Sequence, residues 1–207
     1  MEDYYDSRAD RELTEQLKRI APDRFVQRAN NPLTAYRCEC NSGYCYKILR
    51  LRTIQKRSMA PRLRCPACQE CATHSTHVRV FAETVRTVNN NIRIVWDWKC
   101  FVGDAHRSID ATVLCGLGAG SWCACFEIDG SVHFSANLTS RKDCDIEKDQ
   151  QIETRRWGLM RLHYKDEDVW HKYIKLHLLK PNTGICYTDS YVHCMGRVPQ
   201  IVRSNNL

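Results

Sequence analysis

The sequence predicts an α/β (α+β) fold, a mixed sheet flanked by helices, with a cysteine-rich accessory module toward the N-terminus. Three observations carry this. Segments with apolar residues every three to four positions alternate with runs whose apolar residues recur every second position. Six of the 13 cysteines fall between Cys38 and Cys71. The apolar share of 43% over 207 residues suffices for a packed core. No run reaches the ~20 apolar residues that span a bilayer, so no membrane association is expected.

The elements follow in order. Leu13, Leu17 and Ile20 recur at i, i+4, i+7, so residues 7–20 read as an amphipathic helix, with Ser7 as N-cap and Pro22 beyond its end. A polar linker holding Asn30-Asn31-Pro32 follows. Residues 36–71 are cysteine-rich and basic with little apolar periodicity. Val78, Phe81, Val85 and Val88 form one face of a helix near 75–89, which the run Asn89-Asn90-Asn91 ends. Ile92, Ile94, Trp96 and Trp98 then alternate as in a strand, as do Ile109, Ala111 and Val113. Residues 122–129 make a third strand after a Gly-rich turn, and the three read as an antiparallel meander. A charged helix over 143–155, a strand over 159–164 and a helix faced by Val169, Tyr173, Ile174, His177 and Leu178 complete the order. The tail beyond Pro181 has no clear period. The boundaries drawn from this are an N-terminal helix and linker (1–35), a basic cysteine module (36–74), a layered domain (75–180) and a tail (181–207).

The net charge of +7 is unevenly spread, which points to a polyanionic partner. The acidic start, Met1-Glu2-Asp3, is not a secretory signal. An odd cysteine number with Cys-x-x-Cys spacing argues for thiolates holding metal in a reducing intracellular compartment, nucleus or cytoplasm, rather than for a disulfide framework.

A structural zinc site needs four soft ligands in a tetrahedron, usually as two close pairs. Cys65-Pro66-Ala67-Cys68 is one such pair and Cys40 with Cys45 the second, so Zn²⁺ is expected on Cys40, Cys45, Cys65 and Cys68. Cys38 is an alternative to Cys40, and Cys71 or His74 competes at the far end. Between the pairs stand Lys47, Arg50, Arg52, Lys56, Arg57, Arg62 and Arg64, with no acid from Asn41 to Arg64. Tyr44 and Tyr46 are interleaved with this basic run. Such a patch binds phosphates and can stack on bases. The module resembles treble-clef or ribbon-type zinc units that precede some nuclease domains, with Tyr44 standing where those have histidine.

Phe126-Glu127-Ile128-Asp129-Gly130-Ser131-Val132-His133-Phe134 is the most informative stretch. In a strand, Glu127 and Asp129 point to one face, and two adjacent carboxylates require something positive between them. A divalent cation held by hard oxygens is the usual occupant. The plainer reading is a solvated acidic face. Asp110 stands in the apolar run Ile109 to Val113, where an acid is expensive without a partner. Pairing of the two strands across the Gly-rich turn would bring it near Glu127.

From about residue 75 to 178 the chain resembles the Vsr-like (very-short-patch-repair-like, EDxHD-type) branch of the PD-(D/E)XK endonuclease superfamily. The matching residues come in order: Glu83 in a helix, Asp110 on a strand, and Glu127-Ile128-Asp129-Gly130-x-x-His133 at a strand end. Asp145-x-x-Lys148-Asp149-x-x-Ile152 and Trp157-Gly158-Leu159-Met160-Arg161-Leu162 follow. The resemblance implies a restriction-endonuclease-like core and metal-dependent hydrolysis of DNA phosphodiesters. It implies Mg²⁺ or Mn²⁺ on Asp110 and Glu127, with Asp129 supplying oxygens or placing the water. His133 would be acid or base, Asp149 its support, and Glu83 part of the cluster. Asp129 occupies the place of the lysine in the wider superfamily's (D/E)-x-K. The alternative is a non-catalytic RNA- or DNA-binding protein of RAP type, a relative that shares the Glu-x-Asp-Gly-x-x-His-Phe strand. That reading predicts nucleic-acid binding without turnover.

Overall fold

The structure is a computed structural model that describes residues 6–25, 31–40, 42–50, 63–68, 76–99, 108–115, 122–130, 139–155, 157–179 and 184–190. The chain is α/β, and its strands pair in both senses. It divides into two compact units: Met1–His74 with Asn91–Trp122, and Ser75–Asn90 with Cys123–Leu207.

In the first unit, β1 (Ala9–Asp10), β2 (Leu33–Arg37), β3 (Cys45–Arg50), β4 (Ile92–Trp98) and β5 (Ile109–Cys115) lie side by side in that order. β1–β2, β2–β3 and β4–β5 are antiparallel; β3–β4 is parallel, in the register Cys45↔Ile94. The alternation in residues 92–98 and 109–113 thus does make paired strands. Trp96 and Trp98 are core residues, 2% and 1% exposed, as their strand positions predict.

Helix α1 (Arg11–Ile20) starts later than the periodicity indicates. Its N-cap is Asp10 rather than Ser7, and Asp10 Oδ1 accepts from Leu13 N at 2.8 Å. Asp10 also pairs with Ala35 in the sheet, so residues 9–10 are held extended and the helix begins only after them. Leu13 and Leu17 are buried as expected. Thr14 Oγ1 donates to Asp10 O at 2.7 Å and accepts from Ala35 N at 2.9 Å, fixing the helix on β2.

The second unit holds α2 (Thr76–Val88), β6 (Trp122–Asp129), α3 (Thr139–Thr154), β7 (Gly158–His163), α4 (Trp170–Leu179) and β8 (Gly184–Tyr187). β6, β7 and β8 are parallel, so each connection needs a crossover, which α3 and α4 provide. All six residues of β7 are buried, as in a strand covered on both faces. Alternation on β6 separates two environments. Phe126 meets Phe81 of α2 and His177 of α4, with ring centroids 5.0 and 5.1 Å apart. Glu127 and Asp129 point to the opposite face, where α3 lies. A 3₁₀ segment, Tyr164–Val169, enters α4, and Glu167 in it pairs with His77 of α2.

Among the described residues, no helix is long and apolar enough to cross a membrane.

Candidate functional site

Two constellations stand out, one in each unit. In the first, the Sγ atoms of Cys40, Cys45, Cys65 and Cys68 all lie within 4.8 Å of one another. The local backbone explains how. Cys45 opens β3, and Cys40 sits in the turn before it. Gly43 adopts φ +74°, which a side chain would resist, so the chain can double back between them. The second pair is a short turn at 65–68, tied to the first where Glu39 N donates to Leu63 O at 2.7 Å. The hydroxyl of Ser42 lies 2.8 Å from Cys40 Sγ and 3.4 Å from Cys68 Sγ.

The donor set is all sulfur and closely grouped, which fits a soft tetrahedral cation such as Zn²⁺. The protonation pattern agrees with the crowding. The Cys65 thiol, hydrogen-bonded first by Cys38 and then by Cys40 and Cys45, is held far below the ordinary thiol range. Hydrogen bonding to Cys40 and Cys65, together with burial, pushes Cys45 up, and burial raises Cys68 to about 12. A divalent cation bound there would let the raised thiols of Cys45 and Cys68 ionise with release of protons. Cys38 is a fifth thiol, buried against Cys65 but outside the set of four. Cys71 and His74 lie outside the described residues.

The predicted basic patch is only partly described. Lys47 Nζ is 3.4 Å from Asp97, and Arg50 Nη1 donates to Asn31 O at 2.6 Å. Arg64 is exposed beside Cys65. Arg52, Lys56, Arg57 and Arg62 lie outside the described residues. Tyr46 is buried, with its hydroxyl 3.4 Å from Gly43 O, so it is part of the module's interior rather than a stacking platform.

In the second unit the expected positive partner of Glu127 and Asp129 is present, and it is protein. Lys148 Nζ on α3 is 2.6 Å from Glu127 Oε2. Arg161 Nη1 on β7 donates to Asp129 Oδ2 at 3.1 Å. The same guanidinium donates through Nε and Nη2 to Asp149 Oδ1, at 3.1 and 2.7 Å, and lies 3.5 Å from Asp145 Oδ1. Tyr187 on β8 adds a hydroxyl 3.4 Å from Asp149 Oδ2. Glu127, Asp129 and Arg161 are all at most 2% exposed. Four carboxylates face two cations, and the strain shows at Asp149, whose acidity burial weakens although Arg161 opposes it.

This arrangement gathers Glu127, Asp129 and Asp149 around Lys148 and Arg161. Among the described residues the one group whose ligand atoms lie close enough to hold a metal ion is the four cysteines. Glu83 is exposed on α2, which packs on the Phe126 face of β6, away from the cluster. Asp110 is half-buried on β5 in the first unit, while the other acids belong to the second. His133 lies outside the described residues.

Arg161 and Lys148 were missed as site residues. A signal existed for Arg161, a lone charge inside Leu159-Met160-Arg161-Leu162 that demands a buried counter-charge, by the same logic that drew attention to Asp110.

Comparison of the chain with protein-family models, with curated proteins and with solved structures finds no match.

Proposed function

We propose that the chain is a nucleic-acid-binding protein whose N-terminal module is organised around a structural zinc ion. The observation that carries this is the Cys40, Cys45, Cys65, Cys68 cluster set within a markedly basic segment of the sequence. A small loop-rich module gains its rigidity from such an ion, and a rigid module can hold cations at phosphate spacing. The acidic cluster is no objection to a polyanion-binding role, because it lies in the other unit and its two most buried carboxylates, Glu127 and Asp129, are paired with Lys148 and Arg161. The test is zinc content of the purified chain together with fluorescence anisotropy on labelled DNA and RNA over a salt series. One zinc per chain and a salt-dependent affinity are expected. A zinc-free folded chain, or no affinity at low salt, overturns the proposal.

A metal-dependent DNA endonuclease is the second reading, and one contact favours it. Lys148 brings an ammonium to Glu127 at the strand end, supplying from a helix the cation that Asp129 displaces from the (D/E)-x-K pattern. Such a pair can orient a water and stabilise charge on a phosphoryl oxygen. Glu127 is engaged with Lys148, and Asp129 and Asp149 with Arg161. Plasmid cleavage in Mg²⁺ or Mn²⁺ that is lost in both Glu127→Gln and Lys148→Met, and kept in Glu83→Gln, supports the reading. Cleavage unchanged in Glu127→Gln ends it.

A further inference from the structure

We infer that a cleft between the start of α1 and the edge formed by β1, β2 and β3 is a second phosphate site, one that takes the sugar–phosphate backbone of a nucleic acid. The inference rests on the nucleic-acid reading above and extends it to residues outside the basic stretch between the cysteine pairs.

The cleft encloses about 380 Å³ and is lined by Arg8, Arg11 and Arg37, with Ser7, Asp10 and Tyr46 beside them. Strand pairing builds one wall of the cleft. Arg37 is the cross-strand partner of Tyr46, and Ala9 that of Tyr36. Arg8 comes immediately before β1, and Arg37 is the last residue of β2. Both line the cleft, and like charges held in one cleft repel until an anion lies between them. Arg11, the first residue of α1, adds a third guanidinium at the end of a helix whose amides also favour negative charge.

Among the described residues the lining carries three guanidiniums against one carboxylate, that of Asp10. Asp10 is committed elsewhere: Oδ1 caps α1 and Oδ2 lies 3.9 Å from Arg93 Nε. Arg93 also meets Glu12, at 3.3 Å, so that second acid is occupied as well. Asp6 is 3.6 Å from Arg11, but the two side chains are 70% and 84% exposed, and a solvated pair is weak enough for a phosphate to displace. Arginine forks match phosphate oxygens in geometry as well as charge. Tyr46 follows Cys45 on β3, so one strand carries a residue of the cleft and a residue of the cysteine cluster.

The test uses the full chain loaded with zinc and a triple variant, Arg8→Gln with Arg11→Gln and Arg37→Gln. Anisotropy is measured on labelled duplex DNA and single-stranded RNA between about 50 and 200 mM salt. The variant is expected to bind at least about tenfold more weakly at the low-salt end and to show a shallower log–log salt slope, by roughly two to three contacts. In a parallel arm, tripolyphosphate is expected to raise the melting temperature of the wild type more than that of the variant. Equal oligonucleotide affinity and slope in both proteins overturns the cleft and leaves the nucleic-acid reading standing. If neither protein binds oligonucleotide, the nucleic-acid reading fails, and the cleft survives as an anion site only if tripolyphosphate still distinguishes the two.

Discussion

Arg161 decides more of the second unit than any other side chain. It is a fully charged group, 2% exposed, held by Asp129 and Asp149 and near Asp145. Removing one member of a buried ion cluster strands the others without water, which typically costs about 3 to 5 kcal/mol. Arg161→Met is therefore expected to lower unfolding stability by about that amount in a denaturant titration; Arg161→Lys, which keeps the charge but loses the fork, should recover part of it. His177 makes a different demand. It is 1% exposed and edge-on to Phe126, and burial lowers its pKa from 6.5 to about 4, against the backbone carbonyls of Gly158 and Cys125 that pull it up. The unfolded chain binds this proton below pH 6.5 while the folded one refuses it until about 4. The contribution is thus full above pH 6.5 and lost as pH falls toward 4, about 3 kcal/mol in all. His177→Phe should flatten that limb, which a pH series of melting curves for the two proteins will show.

The elements divide by how local their causes are. Helices α1, α2 and α4 were legible because their buried residues, such as Leu13 with Leu17 and Phe81 with Val85, repeat on one face. Strands β4 and β5 were legible from the alternation of Ile92, Ile94, Trp96 and Trp98 and of Ile109, Ala111 and Val113. β2 and β3 were not, because Thr34, Arg37, Lys47 and Arg50 interrupt any alternation; they are strands because they pair with each other and because β3 pairs with the distant residues Ile94 to Trp96. β8 is a four-residue strand whose identity comes from lying against β7. The start of α1 shows the same competition: pairing of Asp10 with Ala35 overrules the earlier cap at Ser7. Thr14 then couples helix and strand, accepting from the buried Ala35 N. Thr14→Val keeps the shape and removes the acceptor, so a loss of about 1 to 3 kcal/mol is expected in urea unfolding.

At the scale of the whole molecule, the two candidate sites were unequally legible. Spacing pointed to Cys40, Cys45, Cys65 and Cys68 while leaving Cys38, Cys71 and His74 as competitors, and the four do lie together. The carboxylates were found but their neighbours were not, because the partner of Asp129 is 32 residues away in sequence and reaches it only through the β6–β7 register. A charge pattern on one strand announces that a counter-charge exists; it does not say whether that charge is an ion or a side chain.

The parallel pairing of β3 with β4 carries a kinetic consequence. Cys45 is a candidate metal ligand and is also the residue that faces Ile94 across the sheet, fully buried, with Tyr44 O accepting from Ile94 N at 2.8 Å. This ligand cannot swing aside for a competitor while the sheet is closed. Metal escape should then be gated by local opening of these strands, whose rate the protein sets. Chelator added to the folded, zinc-loaded chain is expected to extract metal at a rate that levels off as chelator concentration rises, readable with a colorimetric zinc dye. A rate that climbs in proportion to chelator throughout would mean direct attack on an accessible ligand. Ile94→Ala, which loosens the clamp without touching a ligand, should raise the plateau.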